Sequence, residues 1–211
     1  MKHTFSIIAG FLLLGTILIL NAEDEPMKQE STQNLAVATF AGGCFWCTES
    51  DFEKIPGVVK VISGYTGGTL ENPTYAQVSS GSTQHLESVE VYYDPTRISY
   101  ETLLEDFWKM VDPTDAGGQF VDRGHQYTTA IFYHTEAQHI AAENSLKAMN
   151  ASGRYDKPIV TPIRPALPFY PAEEYHQDYY KHNPLRYHFY RWNSGRDQYL
   201  KRIWGDQVLH P

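Results

Sequence analysis

Two cysteines, Cys44 and Cys47, are the only thiols of this chain, set three residues apart in Gly42-Gly43-Cys44-Phe45-Trp46-Cys47-Thr48-Glu49. A close pair with two large aromatics between them suggests sulfur chemistry before it suggests architecture. The glycine pair lets the backbone turn sharply out of the apolar run Leu35–Ala41, which reads as a strand. From Cys44 to about Ile55 the spacing is helical, with Phe45, Phe52 and Ile55 on one face. Cys44 is then expected at a helix N-terminus, where unpaired N–H groups and the helix dipole favour a thiolate. The segment offers a nucleophilic sulfur beside an aromatic wall.

Three further polar clusters lie where loops meet strands: Asn72-Pro73-Thr74-Tyr75, His85-Leu86-Glu87 and Asp122-Arg123-Gly124-His125-Gln126-Tyr127. Together they hold what redox chemistry at a sulfur–oxygen bond needs. A thiolate attacks the electrophilic sulfur, a protonated carboxyl gives a proton to the departing oxygen, and phenolic hydroxyls steady that oxygen. Only a fold can bring the clusters together.

The elements that have to do so are legible in outline. Val58–Tyr65 is rich in β-branched residues, Glu87–Tyr93 alternates with period two, and Thr128–Tyr133 reads as a further strand. Ser99–Val111 has a helical stripe of Leu103, Leu104, Phe107, Trp108 and Val111, and Thr135 with Gln138 opens a helix running to about Asn150. Lys157–Ile163 is a candidate strand between prolines, Pro171–Lys181 a short helix, and Gly195–Trp204 a C-terminal one. Residues 69–86 and Asp112–Gln126 read as loops. Helices and strands mix without regular alternation, so an α+β sandwich is expected, with helices packed on a mostly antiparallel or mixed sheet.

Lys2 and His3 precede an apolar run from Phe5 to Leu20, the layout of a secretory signal over residues 1–22. An exported protein, periplasmic or otherwise extracytoplasmic, is expected; an uncleaved N-terminal anchor is the alternative. Residues 23–34 read as a flexible polar leader, and 35–211 as a single catalytic domain large enough for a substantial core. With a net charge of −8 and no basic run, nothing favours nucleic-acid binding. Two thiolates alone do not make a zinc site, and the pairs with His-x3–5-His spacing, His134/His139 and His176/His182, are loop-bound or in Glu-rich surroundings, so no metal is expected.

Gly-Cys-Phe-Trp followed by Glu49 resembles the signature of the A-type peptide methionine sulfoxide reductases. So do Asn72-Pro73-Thr74-Tyr75, His85-Leu86-Glu87, Tyr93-Asp94-Pro95, Gln126-Tyr127 and Glu174-Tyr175-His176-Gln177-Asp178-Tyr179, in the family's order across residues 36–188. The resemblance implies a two-layer α+β sandwich, ferredoxin-like, with an extended C-terminal segment. It implies that Cys44 attacks the sulfoxide sulfur and becomes a sulfenic acid, and that Glu87 protonates the oxygen. Tyr75 and Tyr127 are implied to hold that oxygen, Asp122 to support them, and Phe45 and Trp46 to wall the methyl pocket. Relatives with a small residue at position 47 keep a resolving cysteine in their C-terminal tail. Here the tail has none, and Cys47 is left to condense with the sulfenic acid; helical i, i+3 spacing puts the two within reach of a disulfide. The implied partners are oxidised proteins and peptides, read at the S epimer, and a thioredoxin-like dithiol; no prosthetic cofactor is implied, and a monomer is expected.

Against this stand a static disulfide staple, a general thiol–disulfide oxidoreductase, and a pocket that binds oxidised peptides without turnover. A staple across so short a loop constrains the unfolded chain weakly. An oxidoreductase of the thioredoxin kind leaves the carboxyl and tyrosine clusters without purpose. Taken alone, Glu87 reads as a solvated strand residue, Tyr75 and Tyr127 as packing tyrosines, and Glu49 as a structural first-turn carboxylate.

Overall fold

The computed structural model describes residues 1 and 34–208; the readings of 1–22 and, but for Asn34, of 23–34 fall outside the described residues. Along the chain come β1 (Ala36–Gly42), α1 (Phe45–Phe52), β2 (Val58–Thr66), α2 (Tyr75–Ser79), β3 (Leu86–Tyr93) and α3 (Tyr100–Trp108). The short pair β4 (Gly118–Gln119) and β5 (Asp122–Arg123) follows, then β6 (Thr129–Tyr133) and α4 (Glu136–Ala151). The chain continues through β7 (Ile163–Pro165), β8 (Tyr170–Pro171), α5 (Tyr179–His182), α6 (Pro184–Asn193) and α7 (Arg196–Trp204).

Six strands form one mixed sheet in the order β7-β6-β1-β3-β2-β8, with every pairing antiparallel except β6 with β7. The expected α+β sandwich is the observed one. Period-two alternation decides which side chains meet the helices. On β1 and β3, Ala38, Phe40, Val89, Val91 and Tyr93 enter the main core, while Ala41 and Leu86 join Ala130 and Phe132 in a smaller cluster. Phe40 is the hub: its ring stacks on Phe52 at 5.0 Å and Phe107 at 5.1 Å, joining β1 to α1 and α3. Glu87 has the parity of Val89 and Val91, so the strand that buries those valines also carries its carboxyl into the helical layer.

The main strands and the helices α1, α3, α4 and α7 lie close to their expected spans. Three differences have physical reasons. The expected strand Lys157–Ile163 is displaced to β7, because Pro158 and Pro162 have no N–H to give a ladder. The loop 69–86 contains α2, whose Thr74 cap and Gln77 form a reciprocal capping box. The expected helix Pro171–Lys181 is broken into a 3-10 turn at Glu174–His176 and the short α5, because Gln177 is extended and Asp178 left-handed at φ 52° between them.

The tail is tied down by charge. Arg191 on α6 bonds Asp51 on α1 at 2.6 Å, both buried, and its Nε reaches Asp197 at 2.8 Å. Removing one partner of a buried pair strands the other, at a cost of about 3–5 kcal/mol, whereas an accessible pair contributes about 0.2–1 kcal/mol. Asp51→Ala is therefore expected to lower the urea unfolding free energy by about 3–5 kcal/mol. Lys109→Ala, which breaks the more open Asp106–Lys109 pair, is expected to cost less than about 1 kcal/mol. Equal losses in the two titrations would show that the Asp51–Arg191 pair does not anchor the tail.

Candidate active site

The turn Gly42-Gly43 sets the site. Gly43 has φ +84°, and a Cβ there would lie 2.6 Å from Gln119 Cβ, so only glycine lets β1 pass into α1 beneath β4. Cys44 is the N-cap of α1 and has no side-chain cap of its own. The cap comes from the sheet: Phe45 N–H donates to Glu87 Oε2 at 3.0 Å, satisfying a first-turn donor that the helix cannot. One bond thus holds the Glu87 carboxyl against the turn that carries Cys44.

The other expected groups arrive on separate devices. Tyr75 begins α2, and its N–H donates to Glu173 Oε1 at 2.8 Å. Tyr127 ends a 3-10 turn that starts after Gly124, and lines the same pocket as Tyr75. Asp122 opens β5, whose two-residue hairpin is braced by the Arg123–Asp115 pair at 2.6 Å, and it accepts a short bond from the Tyr190 hydroxyl. Trp46 stacks on Tyr179 with centroids 3.7 Å apart and donates through Nε1 to His176 Nδ1 at 3.0 Å.

Cys44, Phe45, Trp46, Tyr75, Glu87, Asp122, Tyr127 and Tyr190 line one pocket of about 170 Å³. That is several times the ~30 Å³ share of a water molecule and below the ~300 Å³ where drug-sized sites begin. It suits the end of a side chain. Every residue the sequence nominated for the substrate chemistry is in its wall, and Cys47 lies in the same buried cluster as Cys44. Sequence reasoning missed Tyr190, which α6 supplies, and the inner partners His176, Glu173, Arg191 and Arg196. The Glu174–Tyr179 motif flags His176; Tyr190 and the arginines carry no local signal. Among the described residues no group of three or more His, Cys, Asp or Glu side chains is arranged to hold a metal.

Burial governs the protonation of the pocket. It pushes the Cys44 thiol well up, helped by the Cys47 bond and by the charges of Glu87 and Asp122. This is opposite to the expectation from the helix terminus alone: desolvation and the neighbouring Cys47 sulfur outweigh the dipole. Cys47 is lowered to about 7 by the hydrogen bond from Cys44, with Arg196 and Arg191 assisting. The pair therefore keeps its negative charge on the inner sulfur. Burial raises Glu87 to about 8 against the opposing Phe45 N–H bond. With Oε2 engaged by that N–H, the proton belongs on Oε1. Burial also raises Tyr75, Tyr127 and Asp122. A resting pocket near neutral pH thus presents a carboxylic acid and two phenolic donors beside a sulfur.

A buried dithiol backed by fixed cations and facing a protonated carboxyl is the equipment of a thiol oxidoreductase that removes oxygen. The peptide methionine sulfoxide reductase family model matches residues 36–208. The peptide methionine sulfoxide reductase MsrA of Bacillus licheniformis is 56% identical over 80% of this chain and 93% of its own length. An MsrA/MsrB protein of Vibrio cholerae is 52% identical across the whole chain, which spans 57% of that relative's length. Among solved structures, Mxr1 of Saccharomyces cerevisiae in reduced form superposes with a TM-score of 0.67 at 32% identity, covering 71% of this chain and 86% of Mxr1. Methionine sulfoxide reductase A of Corynebacterium diphtheriae gives 0.65 at 32% identity, covering 74% and 78%. The chain belongs to the peptide methionine sulfoxide reductase family. It is an oxidoreductase of that class.

Glu49 is also buried, with Oε2 unpartnered, and burial raises it to about 8. The unfolded chain releases this proton near pH ~4.3, so between there and about 8 the folded state holds a proton the unfolded state gives up. Stability contributed by the protonated group is full below the lower value and lost as pH rises through the upper one. Glu49→Gln should therefore match wild type in urea midpoint near pH ~4.5 and exceed it at pH ~8. An equal gap at both pH values would mean that Glu49 does not titrate in this window.

Proposed function

We propose that the chain reduces the S epimer of methionine sulfoxide, free and in oxidised proteins, with Cys44 as nucleophile and Cys47 as resolving thiol. One observation carries the reading: a buried, protonatable carboxyl, Glu87, shares a side-chain-sized pocket with Cys44 and the phenols of Tyr75 and Tyr127. Cys44 Sγ attacks the sulfoxide sulfur as its proton passes to the neighbouring Cys47 sulfur. Glu87 Oε1–H gives its proton to the oxygen, which Tyr75 and Tyr127 hold by hydrogen bonds. The sulfur–oxygen bond breaks, the hydroxyl passes to Cys44, and the substrate leaves as the sulfide. The methionine sulfur is reduced by two electrons and Cys44 is oxidised to a sulfenic acid. Cys47 then attacks the Cys44 sulfur, the disulfide forms, and the hydroxyl leaves with the Cys47 proton as water.

Phe45 and Trp46 offer an apolar wall for the methyl group while the oxygen faces the acid and the phenols, which supports discrimination between epimers. An external dithiol of the thioredoxin kind reopens the disulfide, with no resident cofactor. Asp122 holds Tyr190 across the pocket mouth. The reading extends to a monomeric protein with one catalytic domain over 35–211 and, on the strength of the apolar run alone, to export by residues 1–22 or anchoring by them.

The test is turnover with dithiothreitol on a peptide carrying both sulfoxide epimers. Consumption should stop near half, leaving the R epimer; consumption of both would overturn the epimer assignment. Cys44→Ser should abolish reduction. Cys47→Ser should complete one turnover and retain a sulfenic acid that dimedone traps, and full cycling with thioredoxin would remove Cys47 from its role. Glu87→Gln should slow the chemical step by ~10²–10⁴-fold. In wild type that step should fall as pH rises past about 8, where Glu87 loses its proton. A flat profile through pH ~9 in single-turnover mixing would take the acid role from Glu87.

A further inference from the structure

Arg196 is among the largest fully buried side chains of the molecule, and among the described residues no carboxylate lies within ion-pair distance of it. A guanidinium without a counter-ion is costly to bury and calls for an explanation. Its hydrogen bonds go to neutral carbonyls: Nη1 to Met110 O at 2.6 Å and Nη2 to Gly42 O at 3.1 Å. Its plane lies over the Phe120 ring at 4.6 Å, and Nη2 is 3.2 Å from where a Cβ on Gly43 would sit. These contacts fix the cation beneath the turn that launches both cysteines.

We propose that Arg196 is a positioning residue whose fixed charge serves the Cys47 sulfur, speeding closure of the Cys44–Cys47 disulfide. The proposal rests on the reading of Cys47 as resolving thiol. The groups whose charges act on Cys47 or feel it come from every element around it. They are Cys44 at the N-cap of α1, Asp51 on α1 and Lys54 just past its end, Glu87 from β3, Tyr187, Tyr190 and Arg191 from α6, and Arg196 from α7. Of the two arginines, Arg191 is neutralised by Asp51 and Asp197. Arg196 is not, and among the charged side chains it favours the Cys47 thiolate most. In the closing step the Cys47 thiolate forms the new sulfur–sulfur bond, the Cys44 sulfur–oxygen bond breaks, and the hydroxyl leaves as water with the proton that Cys47 gave up. Cys44 goes from sulfenic acid to disulfide and Cys47 from thiol to disulfide, so no further oxidant is needed. When a dithiol later attacks Cys44, the same cation stabilises Cys47 as the leaving thiolate.

The test compares Arg196→Lys, which keeps the charge, with Arg196→Gln, which keeps donors without it. Rapid mixing of reduced full-length protein with a methionine sulfoxide peptide reads sulfide release and disulfide closure separately. Closure in Arg196→Gln should be about fivefold to tenfold slower at pH ~6, the gap narrowing by pH ~9, and should be slowed more than sulfide release, in which Cys47 only accepts a proton. Arg196→Lys should recover most of the rate. Equal closure rates and pH profiles in wild type and a folded Arg196→Gln would overturn the proposal, as would a loss in Arg196→Lys as large as in Arg196→Gln. If neither variant folds, the wild-type profile decides: closure rising with a midpoint near 7 supports a charge-assisted Cys47, and a midpoint at or above the ordinary thiol value of ~8.5 overturns it. Failure of the Cys47 reading itself appears separately, as absence of the Cys44–Cys47 disulfide from wild-type protein after one turnover.

Discussion

The hydrogen bond from Phe45 N–H to Glu87 Oε2 holds together two requirements that pull apart. A helix that starts at a reactive cysteine cannot use that residue's side chain as its cap, because the sulfur has to face the substrate. A carboxyl that is to donate a proton has to be buried, and burial needs a partner. Joining the helix's orphan N–H to the acid's spare oxygen answers both. Strand parity makes the bond possible: Glu87 shares the face of Val89 and Val91, and Tyr65 pairs with it across β2. A shift of one residue in β3 would turn the acid to the other face and leave the helix uncapped.

Around this bond the tail builds a roof that is structural and electrostatic at once. The buried cluster at the cysteines contains Tyr179 and Tyr187, with Trp46, Tyr180 and Tyr190 packed against it. α6 faces inward through Tyr187 and Arg191 and presents Leu185, Phe189 and Trp192 to solvent. Its inner arginine is matched by acids and so serves anchoring, while Arg196 on α7 is left unmatched under the turn. Two similar residues five positions apart thus do different work, and the difference lies in their partners.

This division explains what the sequence discloses and what it hides. β2, β3 and β6 are legible because β-branched and aromatic residues alternate, and α3 because its stripe recurs at helical spacing. The capping box at Thr74 and Gln77 was available as a signal for α2, but five polar-rich residues give no periodicity to support it. α6 inverts the usual code, burying an arginine and exposing a leucine, a phenylalanine and a tryptophan, so an apolar-face reading points the wrong way. The pocket residues were legible through motifs in family order, not through pattern: nothing local to Glu87 says that it is buried. Tyr190 and Arg196 reach the site from the far end of the chain and depend on Asp122, Met110 and Gly42, partners that only the fold selects.

The direction of the thiol's shift follows from the same burial. The helix terminus favours an anion on Cys44 by at most about 2 kcal/mol, and desolvation together with the neighbouring Cys47 sulfur opposes it. The inner sulfur, next to the cations, is the better place for the charge, and the outer sulfur keeps its proton until it reacts. Access runs the other way. Cys44 is 6% exposed and Cys47 not at all, so substrate and reductant both meet the outer sulfur first. In the proposed cycle, separating charge from access lets one pair of cysteines serve both halves: the exposed one bonds to whatever arrives, and the hidden one displaces oxygen from it and later leaves.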